Sequence, residues 1–183
     1  MQTIACFGDS LIYGFPYGQR ASWVQQVEQL TEIKMLNYGV CGECTDDIMY
    51  RAKTMYLPTQ INAYLFWGGA NDLLQGRPQS IIMGDLRKMQ ELAKQKGLPL
   101  CFVLPLLSAD EYFNNGIDFL RKRMQAEFAA EELLDLQPAI GESDVDLHAA
   151  YFDGIHPTAE TYKRLGTYAA PLIAAWLKKS LQC

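Results

Sequence analysis

Thr3-Ile4-Ala5-Cys6-Phe7-Gly8-Asp9-Ser10 is the stretch whose reading decides the architecture. Residues 3–7 form a short run that is apolar throughout and stops at a glycine. A strand exposed on one face would alternate apolar and polar, so this run reads as a strand covered on both faces, the habit of parallel sheets. Residues 34–38, 63–67 and 100–104 repeat the pattern, each ending near Gly or Pro, and 133–136 is a shorter fifth run.

Segments of helical period fill the gaps. Ser22 and Gln25 read as a capping box ahead of Trp23, Val24, Val27 and Leu30. Thr45 reads as the N-cap of a helix carrying Ile48, Met49, Ala52 and Met55, with Asp46 and Asp47 in its first turn. Ser80 opens a helix with Ile82, Leu86, Met89 and Ala93 inward, and Gly97 stops it. Ile117, Leu120 and Met124 mark a fourth. The last covers residues 158–179, with Leu165, Ala169, Leu172, Ile173 and Trp176 on one face. Strand and helix alternating about five times predict an α/β fold: a three-layer α/β/α sandwich around a parallel sheet of about five strands, joined by right-handed crossovers. Residues 1–183 read as one domain, since no repeat or linker-like run interrupts them. In such a fold ligands sit beyond the carboxyl ends of the strands, here the loops 8–22, 39–45, 68–79 and 105–116.

Composition narrows the partners. Sixteen Lys and Arg against 21 Asp and Glu leave a net charge of −5 with no basic block, which argues against a nucleic-acid groove or an anionic membrane as partner. No apolar run approaches the roughly 20 residues of a spanning helix, and residues 1–7 lack the pattern of a secretory signal, so a cytoplasmic protein is expected. The five cysteines, Cys6, Cys41, Cys44, Cys101 and Cys183, are odd in number and uneven in spacing, a poor disulfide framework, and are expected reduced.

Four loops carry residues with chemical uses. Ser10 follows the first strand and is either a turn residue or N-cap, or a hydroxyl presented to the crevice. In Asn37-Tyr38-Gly39-Val40-Cys41-Gly42-Glu43-Cys44-Thr45 two glycines precede a helix. They serve a tight turn, or they free backbone N–H groups for an oxyanion. Asn71, in Gly68-Gly69-Ala70-Asn71-Asp72, is turn chemistry or an amide donor aimed into the crevice. Asp153-Gly154-Ile155-His156-Pro157 sets a carboxylate and an imidazole three residues apart on a turn. The chain has two histidines, and His148, in a charged loop, reads as a solvated side chain.

Taken together, Ser, Gly, Asn and Asp-x-x-His on separate segments supply the parts of a serine acyl-transfer site. Here the chain resembles the SGNH hydrolases, also called GDSL esterases and lipases. Gly8-Asp9-Ser10-Leu11 matches the naming motif, Gly42 fits the second block, Gly69-Ala70-Asn71-Asp72 the third, and Asp153-x-x-His156 with Pro157 the last. The resemblance runs from residue 8 to 157 and implies the family's flavodoxin-like fold. It also implies roles: Ser10 as nucleophile, His156 as general base and then acid, Asp153 as its orienting carboxylate. The oxyanion hole would comprise the N–H groups of Ser10 and Gly42 and the side chain of Asn71. Asp9 would tie the loop down. No metal or organic cofactor is implied. The α/β-hydrolase alternative fails for want of a G-x-S-x-G.

The expected activity is hydrolysis of small or medium acyl esters, thioesters included, on a small-molecule substrate. Phe15, Tyr17, Leu73, Leu74, Leu106, Leu107, Tyr112 and Phe113 lie in the crevice loops as an apolar wall for an acyl or aryl group. Two other readings compete. Cys41-x-x-Cys44 before a helix is the placement of a thiol–disulfide oxidoreductase, where a helix N-terminus lowers a thiol's pKa. A silent binding module on the same fold is the other, which labelling of Ser10 by a fluorophosphonate would separate from an enzyme.

Overall fold

The computed structural model describes residues 2–58 and 60–182; Cys183 lies outside the described residues. Strands β1 (Thr3–Gly8), β2 (Lys34–Gly39), β3 (Ala63–Trp67), β4 (Leu100–Val103) and β5 (Leu133–Leu134) make one parallel sheet in the order β2-β1-β3-β4-β5. Eight helices are described: α1 (Ser10–Tyr13), α2 (Trp23–Leu30), α3 (Thr45–Thr54), α4 (Ala70–Leu74), α5 (Gln79–Gln95), α6 (Glu111–Glu127), α7 (Asp144–Ala150) and α8 (Ala159–Ser180).

The side chains of β1, β3 and β4 sort by parity into two cores, which is why those runs are almost wholly apolar, whereas the edge strand β2 carries Lys34 and Asn37. Ile4, Cys6, Ala63, Leu65, Trp67, Cys101 and Val103 pack with α2, α7 and α8. Ala5, Phe7, Tyr64, Phe66, Leu100 and Phe102 pack on the other face with α3, α5 and α6. The sandwich is thus the expected one. The chain leaves β1 toward β2 and returns to β3 on β1's other side, so the strand order reverses at β1, the place where such sheets open a crevice.

Local details differ from the sequence expectation for physical reasons. The fifth strand ends at Leu134 because Asp135 turns the chain: one carboxylate oxygen accepts from Gln137 N at 3.0 Å and the other pairs with Arg121 at 2.6 Å. Leu104 falls outside β4, although its N–H still donates to Leu134 O at 2.9 Å. Ser22 does cap α2, accepting from Val24 N, but among the described residues Gln25 closes no box. Thr45 is not a cap at all. Cys44 takes that place, its N–H held by Asp47, and Thr45 begins the helix with its hydroxyl turned inward. Helix α5 starts behind Pro78 at Gln79, one residue before Ser80. Leu172, expected inward, is exposed: the 22-residue α8 outruns a two-residue β5, and Leu172 flanks an open groove with Trp176 and Leu133.

Candidate active site

The sheet register brings three loops to one height, since Gly8 lies opposite Gly39 on one side and Trp67 on the other. From Gly8 the chain turns directly into α1. Asp9 is the N-cap, its Oδ1 accepting from Leu11 N at 2.9 Å, and Ser10 is the first helical residue. The two glycines after β2 now separate. A Cβ on Gly39 would stand 2.1 Å from Tyr13 N, so this glycine lets β2 and α1 touch. Gly42 has φ +83° and nothing within 4 Å of where a Cβ would be, so it faces open space. Among the described residues neither Ser10 N nor Gly42 N donates to a protein acceptor. Asn71 Nδ2 donates to Glu43 O at 2.9 Å, which uses one of the two amide hydrogens and fixes the side chain against the Gly42 loop.

The fourth segment arrives from the far end of the chain. Tyr151 and Pro157 form an antiparallel bridge, Phe152 N donates to His156 O at 3.0 Å, and the five residues between fold into a closed turn. Asp153 holds that turn: Oδ1 accepts from Ile155 N at 3.1 Å and His156 N at 2.8 Å, and Oδ2 meets His156 Nδ1 at 2.7 Å. His156 Nε2 then lies 3.0 Å from Ser10 Oγ. Carboxylate, imidazole and hydroxyl are joined in one hydrogen-bonded chain across 146 residues of sequence. Such a chain can move a proton off the serine and hold the imidazolium that results. His148, by contrast, sits on α7 against Asp144, exposed and away from it.

The structure also gives work to Arg51, which carried no motif, and to Asp72, the last residue of the third block. Arg51, on α3, donates to Gly8 O and Tyr38 O at the ends of β1 and β2 and pairs with the Glu43 carboxylate. It thereby fastens two strand ends to the residue whose carbonyl holds Asn71. Behind it, Asp72 accepts from Thr45 N and Thr45 Oγ1 at 2.9 Å each and from Arg77 at 2.8 Å, while Asp85 accepts from Thr45 Oγ1 at 3.2 Å. No local spacing in the sequence singles out Arg51, and the block that contains Asp72 does not show its partners.

The sequence profile of the GDSL-like Lipase/Acylhydrolase family matches residues 6–164. The chain belongs to that family. It is accordingly a hydrolase acting on ester bonds. Among curated proteins no sequence match to it is found. Solved structures share the fold of this GDSL-type hydrolase. A member of the lipolytic G-D-S-L family from Veillonella parvula is 23% identical with a TM-score of 0.81, the match covering 95% of this chain and 99% of that one. A GDSL-like lipase from Bacteroides thetaiotaomicron is 18% identical, TM-score 0.74, covering 98% and 89%. The psychrotrophic esterase EstA from Pseudoalteromonas, inhibited by monoethylphosphonate, is 18% identical, TM-score 0.68, covering 100% and 97%.

Burial and hydrogen bonding pull the acids of this hydrolase in opposite directions. It pushes Asp9 up to about 7, with the charges of Asp72 and Glu43 adding to the effect against the Leu11 N–H bond. It also raises Asp72, against the opposing bonds from Thr45. At Asp153 partial burial pushes up, but the backbone and ring of His156 and the N–H of Ile155 outweigh it and hold the carboxyl below its usual range. The cysteines go the other way from the redox expectation. Burial raises both Cys41 and Cys44, and they are unbonded, one exposed and one buried as the α3 cap. Among the described residues no three His, Cys, Asp or Glu side chains gather as a metal site. No described helix is long and apolar enough to cross a membrane.

The apolar wall splits in two. Leu73, Leu74, Tyr112, Phe113, Gly116 and Ile155 line a groove of about 460 Å³, Leu73 following Asn71 by two residues and Ile155 preceding His156 in the chain. Phe15 lies on the opposite flank against His156, and Tyr17 packs edge-on to Tyr162. Leu106 is not on the wall, because only 7% of it is exposed and it packs into the core with α8. A larger groove of about 700 Å³ holds none of these residues and includes Gln2, at the amino end of β1.

Proposed function

We propose that this hydrolase cleaves small or medium acyl esters, thioesters included, through an acyl-Ser10 intermediate. The continuous Asp153–His156–Ser10 chain, with contacts of 2.7 and 3.0 Å, carries the reading. Ser10 Oγ attacks the carbonyl carbon while His156 Nε2 takes its proton, and Asp153 keeps the other ring nitrogen oriented. The carbonyl oxygen becomes an oxyanion held by Ser10 N–H, Gly42 N–H and the second amide hydrogen of Asn71. Each such donor contributes on the order of 10²–10³ in turnover. When the carbon–oxygen or carbon–sulfur bond to the leaving group breaks, His156 passes its proton to that atom. Water then enters by the same route in reverse, regenerating Ser10 and releasing the acid.

Two unused N–H groups beside a fixed amide support the oxyanion assignment. The groove of about 460 Å³ suits an acyl group of modest size, because ligand sites of a few hundred Å³ enclose small molecules. Phosphonate inhibition of the Pseudoalteromonas esterase is in keeping with a nucleophile of this kind. The test is labelling by a fluorophosphonate, with the adduct located by mass spectrometry, alongside turnover of p-nitrophenyl butyrate. An adduct on Ser10, lost together with turnover in Ser10→Ala, is expected. An unlabelled Ser10 overturns the mechanism.

A further inference from the structure

Two aromatic rings flank the imidazole and have no role in the mechanism so far. Phe15 has its centroid 4.7 Å from that of His156, and Phe152 lies 6.0 Å away, nearly parallel to the imidazole at 26°. The two phenyl rings are 6.2 Å apart. Their backbones are held. Phe15 O accepts from the buried Tyr162 hydroxyl at 3.0 Å, and Phe152 N–H closes the His156 turn. Yet 37% of Phe15 and 47% of Phe152 stay exposed. Rings recruited only to brace an imidazole would be covered.

We propose that Phe15 and Phe152 form a leaving-group subsite that favours esters of alcohols carrying an aromatic ring. The inference rests on the Ser10–His156 reading above. In acylation the serine–carbon bond forms, the carbon–oxygen bond to the alcohol breaks, and the proton taken from Ser10 Oγ goes from His156 Nε2 to the departing oxygen. That oxygen must therefore lie within hydrogen-bond reach of Nε2. The group attached to it then falls beside the imidazole, where the partly exposed rings of Phe15 and Phe152 lie. Aromatic rings attract at centroid separations of this order. The acyl group, fixed by the oxyanion donors, takes the other direction, toward the groove of Leu73, Leu74, Tyr112, Phe113 and Ile155.

The experiment holds the acyl group constant. Values of kcat/KM, which report acylation, are measured on phenyl acetate and hexafluoroisopropyl acetate, whose alcohols are similarly acidic but differ in having a ring. The wild type is expected to prefer the phenyl ester. Phe152→Ala is expected to shrink that preference roughly two- to tenfold, and Phe152→Tyr to keep it. The preference for phenyl hexanoate over phenyl acetate is expected to be unmoved in Phe152→Ala and reduced in Leu74→Ala. A general disturbance of the site would slow both acetates equally, so an unmoved phenyl preference in Phe152→Ala overturns the subsite. A changed acyl preference in that variant overturns it too. If the wild type still carries a fluorophosphonate on Ser10 in those cases, the mechanism stands without the subsite; no adduct at all removes both.

Discussion

Two polar chains meet at the carboxyl end of the sheet, built on opposite terms. Asp153–His156–Ser10 is wet: the side chains of Asp153 and His156 are 38% and 23% exposed. Thr45–Asp72–Asp85–Arg77 is dry, with the Asp72 side chain at 0% and Asp85 at 3%. The first ends on one hydroxyl beside open space. In the second the carboxylates are saturated by Thr45, Arg77 and Lys88. Proton transfer needs a group that can change charge cheaply and reach a substrate, and the wet chain has both properties. A buried carboxylate lacking a partner is costly, so the donors around Asp72 and Asp85 hold the dry cluster still. Its work is to pin α3 and the Asn71 loop to each other.

That contrast predicts a split between activity and stability. Ser10→Ala is expected to lower ester turnover by on the order of 10⁶ and leave the urea midpoint unchanged, as removal of a nucleophile from an intact site does. Measurable turnover at a hundredth of the wild-type rate would break the comparison. Asp153→Asn keeps an acceptor for the turn but presents His156 with the wrong tautomer, and turnover falls by roughly 10⁴ with stability nearly unmoved. Both are checked by steady-state kinetics beside chemical unfolding.

Asp9 stands between the two chains, buried but next to Ser10. Its folded-state pKa is raised from 3.8 to about 7, so between those values the folded protein binds more proton than the unfolded one and stability falls as pH rises. Asp9→Asn lacks that loss. Its stability relative to wild type is expected to climb from near zero around pH 4 toward roughly 4 kcal/mol at pH 8. Urea unfolding at the two ends of the range measures it, and a pH-independent difference would refute the assignment. Asp72→Ala strips Thr45 of its acceptor and Arg77 of a partner, and about 3 kcal/mol of stability goes with it. The smallest effect belongs to the second histidine: His148→Gln, on an exposed face of α7, is expected to change neither turnover nor midpoint.

Legibility followed the same division. The wet chain's members were named because four loops together, each with an ordinary turn reading of its own, matched the blocks of one family. Asp153 and His156 are three residues apart, and a short turn was enough to foresee their contact. The dry cluster was not readable. Thr45 looked like a cap, since Ser and Thr before a helix usually are, and only packing against Asp72 turned its hydroxyl inward. Arg51 spans three segments that have no common sequence address. Leu106 looked like a wall residue from its loop, and the core claimed it.

The amino-acid sequence alone determined the layered fold, because strands buried on both faces must be apolar throughout and helices between them must carry one apolar stripe. It also determined the set of chemically competent side chains. Tertiary structure decided what those side chains face. The register of Gly8 with Gly39 and Trp67 set three loops level. The close approach of Gly39 to α1 left Gly42 as the glycine on open space. The turn at 152–156 placed the imidazole beside the rings of Phe15 and Phe152 and put Ile155 into the wall of a groove with Leu73, Leu74, Tyr112 and Phe113. Those relations are contacts between residues far apart in the chain, and a local pattern of residue types carries no record of the distances that packing imposes.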